Sequence, residues 1–202
     1  MMVNVSQVTA TINALKHPTR WEWVEQAIAN LDIVLLDHSH CERKAAGVAL
    51  NLMFRYPSNA VLVRKLTAIA REELEHFEQV NQWLEKRGIA LGFLSSPPYG
   101  ANLKTQIRHQ EPNRLLDSLL VSGLIEARSH ERLGLLAEYC PHPELAQFYR
   151  GLMASEARHY GIYWLLADTY FDSKIVSHRR EELAVFESEI LATLHPEPRI
   201  HS

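Results

Sequence analysis

A carboxylate–histidine pattern occurs twice in this chain of 202 residues, and it limits the possible fold more than any other feature of the sequence. Each copy is a lone glutamate followed about 30 residues later by Glu-x-x-His. The first copy comprises Glu42, Glu73 and His76, and the second comprises Glu126, Glu156 and His159. One Glu on each of two helices, with Glu-x-x-His on each of two others, can bind two metal ions inside a helical bundle. The pattern therefore predicts long helices whose acidic residues point inward.

The composition favours helices around one core. Hydrophobic residues make up 47% of the chain and charged residues 22%, and glycine is scarce. A chain of this length can bury one sizeable core, so we expect a single domain over residues 1–202 with a core bundle at about 31–171. The net charge is only −3. Any nucleic-acid partner would therefore meet a local basic patch rather than an overall positive charge.

Cysteine use and hydropathy predict a cytoplasmic protein with no membrane partner. Cys41 and Cys140 form no zinc-binding spacing and fit a reducing compartment. Residues 1–6 lack the basic segment followed by an apolar segment that is typical of a signal peptide. No apolar run is long enough to cross a bilayer.

The order of predicted helices favours an all-α, ferritin-like four-helix bundle with additional N- and C-terminal helices. A capping box from Thr19 to Glu22 predicts a short first helix, and Ser58 is a predicted cap for one of the long helices. The long helices are expected at about 32–55, 58–87, 113–139 and 143–171, with a last helix at about 174–194. A connection at 88–113, with a short helix around 101–109, separates two helical hairpins. One long crossover between two hairpins is the ferritin-like connectivity.

Residue counts from the two turns make the repeated pattern a geometric prediction. Glu42 and Glu73 lie 15 and 16 residues from Pro57 in the first turn, and Glu126 and Glu156 lie 16 and 14 residues from the second. At 1.5 Å per residue, each pair lies at one level, about 20–25 Å from its turn. Acids on apolar helix faces are costly unless they are paired or bind metal. We therefore expect these four carboxylates to be buried metal ligands.

Other acids and histidines fit the pattern less well. Glu131 is only 11 residues from its turn, so it is excluded from the level of the ligands. Asp37-x-x-His40 has a shorter carboxylate about one turn away from that level, and we interpret it as a surface pair or as a partner of the ligands. His38 and His130 lie one helical turn from the two lone glutamates. They either hydrogen-bond to ligands or are buried and satisfied elsewhere.

The ligand types favour iron or manganese. Carboxylate-rich sites with two imidazoles and open positions differ from structural zinc sites, which prefer closed tetrahedral sets of Cys and His. Ligand type alone does not distinguish iron from manganese.

Longer strings around the repeated pattern resemble one family, the tRNA 2-methylthio-N6-isopentenyladenosine hydroxylases of the MiaE type. The resemblance extends over residues from about 30 to 190. The strings that carry it are residues 36–46, 71–77, 111–117, 124–129 and 155–159.

The resemblance implies a non-haem diiron monooxygenase that hydroxylates the isopentenyl group of a hypermodified adenosine beside the tRNA anticodon. One atom of O2 would enter a terminal carbon and the other would leave as water, with two electrons from an external reductase. The six residues of the repeated pattern carry over as the iron ligands, and Glu73 and Glu156 would bridge the two ions. No catalytic residue beyond the metal ligands is implied.

Contacts to the RNA and the choice of substrate stay open at this point. Phosphate contacts dominate RNA affinity, so exposed cations near the site are candidates. These are Arg43, Lys44, Arg64, Lys65, Lys86, Arg87, Lys104, Arg108 and Arg114. The alternative to a tRNA hydroxylase is a ferritin-like diiron oxidase or ferroxidase that acts on another substrate.

Overall fold

In the computed structural model, residues 15–202 are described. Within that range helices are the only regular secondary structure, and no strand is present. The seven helices of this range are α1 (Trp21–Ala29), α2 (Leu31–Arg55), α3 (Ala60–Lys86), α4 (Tyr99–Lys104), α5 (Asn113–Tyr139), α6 (Pro143–Tyr170) and α7 (Ser173–Ile190). The predicted long helices are confirmed to within a few residues, and the short helix of the crossover begins and ends earlier than predicted. None of these helices is both long and apolar enough to cross a membrane.

Contacts between Cα atoms divide the described chain into two compact units. The first contains residues 15–28, 97–197 and 201–202, and the second contains residues 29–96 and 198–200. Each unit is built around one long helical hairpin, α5 with α6 in the first and α2 with α3 in the second.

The hairpin of the second unit is antiparallel. Thr67 contacts Met53 near the turn, and Ser39 donates a hydrogen bond to Asn81 farther from it. α2 ends at Arg55 because the residue before a proline avoids the helical conformation and Pro57 follows closely. The predicted cap of α3 was wrong by one position. The side chain of Asn59, not that of Ser58, accepts a hydrogen bond from the Leu62 amide at the start of the helix.

The hairpin of the first unit is also antiparallel. Arg150 on α6 donates to the Ala137 carbonyl near the turn, and Trp164 lies against Gly123 at the far end. Pro143 begins α6, where its fixed backbone angle and missing N–H do no harm. This hairpin places Glu126 on α5 opposite the half of α6 that contains Glu156 and His159.

A buried ion-pair network replaces the predicted capping box at the N-terminal end. The N–H and hydroxyl of Thr19 donate to the Glu131 carboxylate at 2.9 and 2.7 Å, so Thr19 does not cap α1. Arg128, which is fully buried, pairs with both Glu131 and Glu187. Breaking such a pair would leave an uncompensated charge in the core, so these three residues stabilise the packing of α5 against α7. Sequence analysis did not single out Glu187.

We expect Gly123→Ala to destabilise the α5–α6 hairpin. A Cβ atom at this position would lie 2.5 Å from Nε1 of Trp164, so the indole would have to move. Overpacking of this kind costs about 1–3 kcal/mol of unfolding free energy. Gly151→Ala is the matched control, because Gly151 lies within α6 with nothing near its Cβ position, and alanine there should add about 0.5–1 kcal/mol. Equal urea midpoints for the two variants would contradict the packing described for Trp164.

Candidate metal centre

The second unit brings together three of the predicted ligands. Glu42 comes from α2, and Glu73 and His76 come from adjacent turns of α3. Each of the three offers a ligand atom within 4.8 Å of the others, and none is more than 6% exposed. Nδ1 of His76 lies 3.2 Å from Oε2 of Glu42 and 3.8 Å from Oε2 of Glu73. We call these residues the first triad.

His38 lies directly behind the first triad. It is one turn before Glu42 on α2 and is 1% exposed, and its Nε2 lies 2.7 Å from Oε1 of Glu42. Of the two predictions for His38, the structure therefore shows the contact with Glu42. An imidazole in this position fixes the orientation of the carboxylate and stabilises its charge.

Electrostatics within the first triad favour a bound positive charge. Burial opposes ionisation of Glu42, but His38 and His76 outweigh it and hold the pKa of this carboxyl well below its usual range. Burial likewise disfavours the charged form of His76. Its hydrogen bonds with Glu42 and Glu73 outweigh that penalty and raise its pKa to about 10. In the metal-free protein, a proton on His76 thus supplies the positive charge that a metal ion would otherwise provide.

The first unit brings together the other three predicted ligands. Glu126 comes from α5, and Glu156 and His159 come from α6. Their ligand atoms also lie within 4.8 Å of one another, and all three side chains are buried. On α6, Glu156 and His159 share a face with Tyr149 and Tyr163, as the helical period predicts, and both tyrosines are completely buried. We call these residues the second triad.

Two other residues of α5 that were considered alongside the predicted ligands, Glu131 and His130, have partners outside the second triad. Glu131 belongs to the ion pair with Arg128 and is not among the acids that lie together in the second triad, as its distance from the turn predicted. The Nδ1–H group of His130 donates to the carbonyl of Met153 at 2.8 Å, so one ring nitrogen of His130 serves the α5–α6 packing.

The interpretation of Asp37 and His40 as a surface pair is wrong. Both side chains are buried. Asp37 accepts a hydrogen bond from the Ile200 amide at 2.7 Å, and His40 contacts the Gly92 carbonyl at 2.8 Å. The sequence carries no periodic signal for these contacts, because residues 89–97 form neither helix nor strand.

The donor set of each triad fits a first-row transition metal. Each has two carboxylates and one imidazole in a buried environment, where a carboxylate needs a compensating charge. The oxygen and nitrogen donors match iron or manganese, and no thiolate is among them. The buried Glu and His residues are thus compatible with a metal centre.

Comparison with solved structures defines the class of protein. The chain superimposes with a TM-score of 0.91 on a Synechococcus protein described as Protein 43 with aldehyde deformylating oxygenase activity. The two are 52% identical, and the match covers 93% of this chain and 95% of the other. The predicted all-α, ferritin-like fold is confirmed.

Comparison with sequence families identifies the family. The family model of the tRNA-(MS[2]IO[6]A)-hydroxylases (MiaE) matches residues 6–202. A tRNA 2-(methylsulfanyl)-N(6)-isopentenyladenosine(37) hydroxylase of Pseudomonas putida is 40% identical over 185 residues, which are 92% of this chain and 90% of that protein. A hydroxylase of the same name from Salmonella typhimurium is 28% identical over 252 residues, with 100% and 93% coverage. The chain belongs to the MiaE family of tRNA hydroxylases, as the sequence resemblance predicted.

We expect His76 to remain protonated well above neutral pH in the metal-free protein. The pKa of His76 is about 10 against an ordinary 6.5, so its ion pairs stabilise the fold fully below pH 6.5. That stabilisation is lost as the pH rises through about 10. The depressed pKa of Glu42 acts in the opposite direction, and its contribution is lost only in acid. NMR titration of the histidine side chains measures the His76 pKa directly.

Glu42→Gln is the variant that tests the cause of this shift. It removes the negative charge and retains the shape of the side chain, so the pKa of His76 should fall. The NMR signal of His178, which is exposed on α7, is the internal control and should be unaffected by the substitution. An unchanged His76 pKa in Glu42→Gln would show that Glu42 is not its main partner.

Proposed function

We propose that the two triads together hold one diiron centre, and that the two units act as a single ferritin-like domain over the whole chain. The observation that carries this proposal is the repetition of one buried Glu, Glu, His set in both units. Each triad alone offers only three protein donors to a metal, whereas two triads that share bridging carboxylates would satisfy two ions. Membership of a hydroxylase family supports iron as the metal.

The individual ligands take different roles in this proposal. Glu73 and Glu156 belong to the Glu-x-x-His pairs and would bridge the ions, while Glu42 and Glu126 would each bind one ion. His38 would hold Glu42 in its ligand orientation through the contact at 2.7 Å. The proton on His76 would leave when metal binds, so metal affinity should increase with pH.

The proposed reaction is hydroxylation of the isopentenyl group on the modified adenosine beside a tRNA anticodon. A C–H bond of the substrate, O2, two electrons and two protons give a C–OH group and one water. Two irons would supply the activation of O2, and an external reductase would supply the electrons. The residues of the chain bind the ions and exclude bulk water, because the ligands and the tyrosines beside them on α6 are buried. A tRNA substrate also places the protein in the cytoplasm.

A second candidate function has one specific observation in its favour. The Synechococcus protein is more nearly identical to this chain than either named tRNA hydroxylase is, and its description gives it aldehyde deformylating oxygenase activity. A long-chain aldehyde and an isopentenyl group both have an apolar hydrocarbon part with the reacting carbon at its end. The same buried metal site would therefore accommodate either reaction, and the substrate must be tested directly.

We predict that Glu73→Ala and His159→Ala abolish both iron binding and turnover. Each change removes a buried donor from one triad, so iron content after anaerobic reconstitution should fall from about two per chain to fewer than one. Glu75→Ala and His178→Ala are matched controls on the same residue types, since both side chains are exposed. Metal analysis and circular dichroism should show normal iron in the controls and helical structure in all four variants. Full iron binding in Glu73→Ala or His159→Ala would contradict the proposed ligand set.

We predict that tRNA from a strain lacking this chain loses the hydroxylated isopentenyladenosine and accumulates its unhydroxylated precursor. Nucleoside analysis by mass spectrometry measures both, and reintroduction of the wild-type chain, but not of Glu73→Ala, should restore the product. The purified iron-loaded protein should likewise convert precursor tRNA with O2 and a reductant. Formate release from long-chain aldehydes without any tRNA conversion would instead favour the deformylating activity.

A further inference from the structure

An irregular segment of the second unit holds a fully exposed aromatic ring in a fixed place. Residues 89–97 are the first part of the crossover after α3, and they form neither helix nor strand. Phe93 lies in the middle of this segment and is 95% exposed, and Leu91 beside it is 46% exposed. Burial of a phenylalanine side chain is favourable, and the isolated chain does not gain that stabilisation here.

The segment is braced on both sides of Phe93. On one side, the Gly92 carbonyl accepts a hydrogen bond from Nε2 of the buried His40 at 2.8 Å. On the other side, Lys44 donates to the hydroxyl of Ser96 at 2.7 Å, and Arg199 donates to the Ser95 carbonyl at 3.1 Å. Side chains from α2 and from the end of the chain therefore fix the backbone on which Phe93 stands.

The bracing also fixes the charges around the ring. Because a carbonyl oxygen only accepts, Nε2 of His40 carries the proton and Nδ1 accepts from Arg43 at 2.9 Å. The Arg43 guanidinium also lies over the ring of Phe77. Arg43 and Lys44 are both exposed, and both contact the segment of Phe93, Lys44 directly at Ser96 and Arg43 through His40.

This cluster adjoins the first triad. Arg43 directly follows Glu42 on α2, and Phe77 directly follows His76 on α3. The contacts from Arg43 through His40 to Gly92 connect the triad to the Phe93 segment within the same unit. A ligand that rests on Phe93 would therefore contact a segment that is linked through α2 to the first triad.

We infer that Phe93, with Arg43 and Lys44, is a stacking platform for an unpaired base of the tRNA anticodon loop. Proteins recognise single-stranded RNA by stacking its bases on aromatic side chains while cations contact its phosphates. A braced ring loses little conformational entropy when a base stacks on it. This inference rests on the proposed tRNA substrate and adds the surface that holds the RNA.

Several other predicted RNA contacts are occupied within the protein. Arg108 is bound to Asp117 through its Nε and Nη2 atoms, Arg87 pairs with Asp32, and Lys86 lies over the ring of Trp83. Arg43 contacts the His40 ring and Lys44 donates to the Ser96 hydroxyl, so among the described residues neither forms a hydrogen-bonded ion pair with a carboxylate. Both side chains are exposed, so a phosphate can approach them.

The test is binding of a synthetic anticodon stem-loop that carries isopentenyladenosine, measured by fluorescence anisotropy at several salt concentrations. Phe93→Ala should weaken binding by at least about fivefold, as loss of one stacked base does. Phe93→Trp retains a stacking ring and should bind within about twofold of wild type. Phe54→Ala is the matched control, since Phe54 is 82% exposed in the same unit but lies 11 residues beyond Arg43 on α2, which is about 16 Å along the helix. Iron content should be unchanged in all three variants.

A second arm tests the charge. Lys44→Gln should lower the slope of log affinity against log salt by about 0.7, the contribution of one phosphate contact on a single strand. Ser96→Ala removes the bracing hydrogen bond but keeps the charge, so its salt slope should equal that of wild type.

The outcomes separate this inference from the proposed function. If wild type binds the stem-loop and hydroxylates tRNA while Phe93→Ala binds equally well, the platform is wrong and the function stands. If wild type neither binds nor converts tRNA, both are wrong. If Phe93→Ala instead loses binding to phosphatidylglycerol vesicles and keeps its RNA affinity, the segment contacts lipid and the inference is overturned.

Discussion

The cost of placing carboxylates inside helical hairpins governs this structure. A buried carboxylate is tolerated only where a positive charge or several hydrogen bonds compensate it. The chain meets this requirement in two ways. Glu131 and Glu187 are compensated by the guanidinium of Arg128, which gives a permanent structural ion pair. Glu42 and Glu73 face the imidazole of His76, whose positive charge is a removable proton.

This difference separates structural acids from candidate ligands. A guanidinium does not lose its proton in a protein, so a metal ion cannot take the place of Arg128 beside Glu131. An imidazole can lose its proton and then bind the metal through the same nitrogen. The raised pKa of His76 and the depressed pKa of Glu42 are both consequences of this arrangement. The first triad can therefore exchange the proton of His76 for a metal ion, and in the metal-free protein the same residues stabilise the fold through their ion pairs.

The sequence predicted the helices and the clustering of the buried Glu and His residues better than it predicted individual contacts. Helical periodicity and turn residues located the four long helices, and distance from the turns correctly excluded Glu131. The capping box at Thr19 was wrong, because the Thr19 side chain found a buried carboxylate 112 residues away. The interpretation of Asp37 and His40 as a surface pair was wrong for the same reason, since their partners Ile200 and Gly92 are remote in sequence.

The sequence by itself determined the fold class, the family and the identity of the six candidate ligands. These depend on periodic or repeated patterns, which are local properties of a helix and remain readable along the chain. Only the tertiary structure decided which of the remaining charged groups are compensated internally and which are exposed. It paired Arg108 with the buried Asp117 and Arg128 with the buried Glu187, and it braced the segment of the exposed Phe93 against α2 and Arg199. Those outcomes depend on contacts between remote segments, and no spacing along the chain encodes them.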